Sequence, residues 1–157
     1  MKKLILLLFI TSLIYACGNQ NGTANKPAAT SSNETPANEN PSYDPHRGEG
    51  KYKDYQPSAT LDATLSSNGE KAFGVKCGSC HKLSDEKLVG PGWKGVTTRR
   101  TAPWILNFIT NTDEMINKDP EAQAQLEICL VRMPNQNLTD EEAKGLYEFM
   151  RKNDGVK

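Results

Sequence analysis

Cys77-Gly78-Ser79-Cys80-His81 sets two thiols three residues apart, with an imidazole directly after the second. Two thiols at this spacing can add to the two vinyl groups of one haem. The adjacent histidine then swings under the iron as its proximal ligand, so the five residues read as a covalent c-type haem attachment site. Two other chemistries use a CxxC pair. A zinc site needs a second pair of Cys or His ligands, and the remaining candidates, Cys129 and His46, are isolated. A thioredoxin-like redox pair sits inside a βαβ pattern, and none is visible. Covalent haem c, one group held by Cys77 and Cys80, is the expected cofactor.

The start of the chain bears on where that chemistry takes place. Met1-Lys2-Lys3 and the apolar run Leu4 to Ile14 form a charged segment and a short hydrophobic one. The run is too short to cross a bilayer as a mature helix, so residues 1–16 read as a secretory signal. It ends in Leu13-Ile14-Tyr15-Ala16-Cys17, which resembles the bacterial lipobox, with a small residue before the cysteine and an aliphatic one three before it. Tyr15 departs from that pattern. The resemblance implies lipidation at Cys17 and anchoring to a bacterial membrane on its extracytoplasmic, periplasmic side. The alternative is an ordinary signal peptide that happens to contain a cysteine. Haem of the c type is attached outside the cytoplasm, which agrees with either. With Cys17 lipidated and two thiols on haem, one of the four cysteines, Cys129, is left, and no disulfide framework is available.

Nineteen basic and nineteen acidic residues give no net charge, so a nucleic-acid partner has no electrostatic support. Locally, Lys82, Lys87, Lys94, Arg99 and Arg100 outnumber Asp85 and Glu86. This segment is either a docking surface for an acidic redox partner or a solvated basic loop.

Behind the motif stand the elements that must position it. Residues 18–42 carry no large apolar side chain and read as a flexible tether. Residues 43–62 interleave Tyr43, His46, Arg47, Tyr52 and Tyr55 with charges, and either pack as an extended arm or continue the tether. The division is therefore signal 1–16, lipidated cysteine plus tether and arm 17–62, and haem domain 63–157. In that domain the spacing predicts four helices. The first is capped by the box Ser67-Asn68-Gly69-Glu70 and runs into the haem motif. The second covers about 102–111, with Trp104, Ile105, Phe108 and Ile109 as its stripe. The third starts at Asp119-Pro120 and carries Ala122, Leu126, Cys129 and Leu130 on one face. The last begins at Thr139 with a capping box and buries Ala143, Leu146, Tyr147, Phe149 and Met150. No stretch alternates long enough for a sheet, so the fold class is all-α, a small core completed by haem.

The capped helix with Gly69 and Phe73, then Cys77–His81, Gly90-Pro91, Met133-Pro134 and a capped terminal helix together resemble the class I monohaem cytochromes c over about 66–152. That resemblance implies a methionine as the iron's second ligand, and Met133 matches by position and context. Met115, in a predicted loop, and His46, folding back from the arm, are competitors. Met150 falls on a core face. The resemblance also implies that the Pro91 carbonyl accepts from the His81 Nδ1–H. It matches Gly69 and Phe73 to a close crossing with the last helix at Leu146 and Phe149. Trp104 matches loosely a tryptophan that donates to a haem propionate; the alternative is a core anchor. Cys129 is either an inert buried thiol or a redox-active one.

The implied activity is one-electron transfer between Fe(III) and Fe(II) by a carrier that is not an enzyme. A haem subunit of a larger respiratory complex is one alternative. A small peroxidase or gas sensor is another, weakened because His46 is the sole histidine left once His81 binds iron. The arm and the loop after Met133 resemble lipoprotein cytochromes of the Bacteroidetes type. That implies a quinol-oxidising complex as donor and a terminal oxidase or nitrous oxide reductase as acceptor.

Overall fold

The computed structural model describes residues 42–157. The signal segment, the Cys17 lipidation site and the tether up to residue 41 lie outside the described residues. Among those described there are six helices and no strand: α1 Ala63–Lys76, α2 Val96–Arg99, α3 Ala102–Thr110, α4 Thr112–Lys118, α5 Pro120–Cys129 and α6 Asp140–Asn153. None is long and apolar enough to cross a membrane.

The first and last helices cross with backbone against backbone. A Cβ added at Gly69 would lie 1.9 Å from the Gly145 carbonyl oxygen, so only hydrogen fits there. One turn on, Phe73 packs on Phe149 with ring centroids 5.5 Å apart, and on Trp93 at 4.8 Å. α6 opens with the expected capping box between Thr139 and Glu142. α1 does not begin where the sequence pattern places it. Its cap is Asp62, whose carboxylate accepts from Leu65 N at 2.9 Å, and Ser67 lies inside the helix. The reason is tertiary. The Asp62 N–H donates to Glu148 of α6 at 3.1 Å, which anchors the earlier of two competent caps.

α3 and α5 lie near their expected positions, and α5 is capped by Asp119 as the sequence implies. Two readings need correction. Met115 is in the short helix α4, fully buried, and not in a loop. Leu130 does not extend the apolar face of α5. It ends the helix in the left-handed region at φ 59°, with its side chain 84% exposed.

The arm packs on the domain. Tyr43 and Tyr52 are buried, and side chains of α3 and α4 serve the arm's backbone. Asn107 accepts from Tyr52 N at 2.9 Å and donates to Tyr52 O at 3.0 Å and Arg47 O at 2.8 Å. Asn111 donates to Glu49 O at 3.0 Å, and the Met115 sulfur accepts from Glu49 N at 3.0 Å. Arg151, buried and paired with Glu148, donates to Ser58 O at 2.8 Å and ties the arm's end to α6.

The helix crossing generates the first test. Gly69→Ala puts a methyl into the Gly145 backbone and should cost about 3 kcal/mol, the upper end of ordinary overpacking, read as a fall in melting temperature. Gly74→Ala, on the same helix with open space around it, should stabilise by about 0.5–1 kcal/mol. Equal effects at the two positions would refute the crossing.

Candidate functional site

α1 delivers the motif by ending on it. Cys77 N and Gly78 N both donate to Phe73 O, at 2.9 and 2.8 Å. Cys80 N and His81 N both donate to Cys77 O at 3.0 Å. The result is a tight turn that holds Cys77, Cys80 and His81 on one short piece of chain. None of the three described cysteines forms a disulfide. Cys77 is buried, and burial pushes its thiol up to about 11, so little thiolate exists at neutral pH. A reactive redox thiol depends on a depressed value, the opposite of what burial does to Cys77.

His81 is fixed on two sides. Its Nδ1 lies 2.9 Å from the Pro91 carbonyl, which can only accept, so Nδ1 carries the proton and Nε2 keeps its lone pair for a metal. Burial holds the ring below its ordinary value, opposed in part by that hydrogen bond, which keeps the imidazole neutral. Below the ring lies Gly90, where a Cβ would come within 2.4 Å of an imidazole carbon. Val89 N and Gly90 N donate to Cys80 O at 3.2 and 2.9 Å, folding the loop back under the histidine.

His81, Cys80 and Pro91 line a cavity of about 420 Å³. Its far walls are Ile105, Phe108 and Ile109 of α3, Leu126 and Cys129 of α5, Met150 of α6, and half-buried Met133 with Pro134. His46 and Met115 do not line it. His46 is exposed on the arm, and Met115 is buried beneath Gly48 with its sulfur on Glu49. Cys129 is half-buried in the wall. Trp104 is also in the wall, but its one N–H donates to Asp119 at 2.9 Å. This is the packing that the core-anchor alternative describes: the indole is stacked on Phe108, with the Arg100 guanidinium 4.8 Å from its ring centre.

These residues fit a haem. The cavity is apolar, a neutral histidine with its Nε2 lone pair available stands in it, and Met133 and Met150 belong to its lining. Lys87, Lys94, Arg99 and Arg100 line it against a single acid, Asp85, which suits the carboxylates of a porphyrin edge. The family model described as Cytochrome c matches residues 66–154. The chain belongs to the cytochrome c family. Among solved structures, the cytochrome c from Rhodothermus marinus is 30% identical with a TM-score of 0.64, covering 67% of this chain and 90% of that one. An engineered form of that cytochrome has the same identity, coverage and TM-score. The engineered form bound to a carbene intermediate is similar at a TM-score of 0.61. No curated protein matches.

As a cytochrome c, the protein binds haem c covalently and carries electrons. When bound, the haem supplies a one-electron Fe(III)/Fe(II) couple. The chain's residues hold the proximal ring in one tautomer and surround the group with apolar side chains. Trp93, missed in the sequence, lies 5.5 Å from the His81 ring and closes the cavity behind it. An aromatic two residues beyond Pro91 was the available signal. Gly90→Ala should displace the imidazole, destabilise the holoprotein by about 1–3 kcal/mol, and lower the yield of attached haem. Thermal melting and a haemochrome assay check both, and a parent-like variant would show that the ring has room to move.

Proposed function

We propose that this cytochrome c is a one-electron carrier of an extracytoplasmic respiratory chain, with His81 and Met133 as the axial ligands of its iron. The observation that carries the reading is that both residues line one apolar cavity while the competing His46 and Met115 are held elsewhere. His/Met ligation raises the reduction potential, since a thioether favours the ferrous state. Two filled axial positions leave none for a substrate, so the protein is a carrier and not an enzyme. The chain's second histidine is exposed on the arm and outside the cavity, which supports the same reading.

Lipidation at Cys17 would anchor the carrier to a bacterial membrane on its periplasmic side. A tether of about forty residues would let the haem domain range over tens of ångströms between partners. The donor is a quinol-oxidising complex, and the acceptor is a terminal oxidase or nitrous oxide reductase.

Two measurements test this. The reduced parent protein should ignore carbon monoxide, and Met133→Ala should bind it readily. A parent that binds carbon monoxide, or a variant that does not, would remove Met133 as ligand. Membrane fractions should hold the parent and release Cys17→Ala, and quinol-driven reduction should fall on removing the protein from those membranes. Recovery in a fixed stoichiometric complex would instead make it a resident subunit.

A further inference from the structure

Asp119 is fully buried, and its carboxylate accepts three hydrogen bonds. Oδ1 takes Ala122 N at 2.8 Å, and Oδ2 takes the Trp104 indole N–H at 2.9 Å and the Tyr43 hydroxyl of the arm. All three donors are uncharged. The Tyr43 phenol is held protonated by burial first and then by Asp119, so it remains a donor. Arg100, over the Trp104 ring, is already paired with Glu121. The dipole of α5 offsets part of the charge but is worth only a fraction of a unit.

Capping does not explain an acid here. Asn or Ser caps a helix as well as Asp, and neither carries the cost of a buried charge. What the acid adds is a second acceptor oxygen, for Trp104 and Tyr43, and a negative charge one indole away from the haem cavity, in surroundings where water screens little. We infer that Asp119 is a positioning residue that also sets the potential of this cytochrome: it fixes Trp104 in the cavity wall, and its charge behind that wall lowers the reduction potential. A negative charge there favours the iron state with one more positive charge, Fe(III), over Fe(II). The inference concerns the haem domain and is independent of which partners it meets.

Equilibrium redox titration of the full-length holoprotein and two variants tests it. Asp119→Asn keeps one acceptor oxygen for the cap and removes the charge, along with the oxygen that accepts from Trp104 and Tyr43. It should favour Fe(II) on the order of tenfold, roughly 59 mV upward for one electron. Tyr43→Phe keeps the charge and removes one donor that damps it, and should move the equilibrium the other way by roughly two- to threefold. A merely structural role would shift both variants in one direction or neither. An unchanged potential in Asp119→Asn, or shifts of the same sign, overturns the proposal. Should Asp119→Asn fail to load haem, Tyr43→Phe decides alone: a downward shift supports the role of the charge, and no shift or an upward one refutes it. Amide exchange at Tyr52 must remain parent-like in Tyr43→Phe, and a shift that tracks release of the arm also overturns the proposal.

Discussion

Two helices from opposite ends of the described chain touch through bare backbone where Gly69 meets Gly145. Everything around the haem cavity follows from that approach. It sets the level at which α1 runs out, and Cys77 follows its last residue, so the attachment turn is placed by the crossing. α6 then reaches past the crossing to fix the loop that supports His81. Asn153 donates to Leu83 O at 3.0 Å, and the Asp154 carboxylate accepts from Gly95 N and Thr97 N at 2.6 and 2.9 Å. One helix therefore registers the thiols and the floor under the imidazole.

The site handles charge by keeping it at the edge. The ring that faces the cofactor is neutral, the wall is largely apolar, and four of the five charged residues in the lining are basic. Electron transfer then involves little rearrangement of the chain's own dipoles, because the groups nearest the cofactor are locked by backbone hydrogen bonds and packing. Asp119 is the exception, a charge kept inside where it acts at short range.

Much of this was legible in the sequence because each signal was local. The motif at 77–81, the caps at Asp119 and Thr139, and the apolar stripes of α3 and α6 are short-range patterns, and they stand where expected. What escaped depended on distance in the chain. Asp62 and Ser67 are both competent caps, and the choice rests on Glu148, far away in sequence. α4 is too short to show a period, so Met115 read as loop. Leu130 looked apolar and periodic, yet the helix ends before it because the chain must turn toward Met133. The arm's two buried tyrosines stand among glycines and charges, where no periodicity marks them.

The arm has one more consequence. It runs in turns and bends, so its backbone N–H and C=O groups have no helix or sheet of their own to satisfy them. Here side-chain amides stand in for a neighbouring strand. Asn107 meets both backbone groups of Tyr52, and Asn111 and Met115 meet those of Glu49. A helix thus satisfies the arm without a sheet being built. Two asparagines and a methionine do for the arm what a ladder of backbone hydrogen bonds does for a strand.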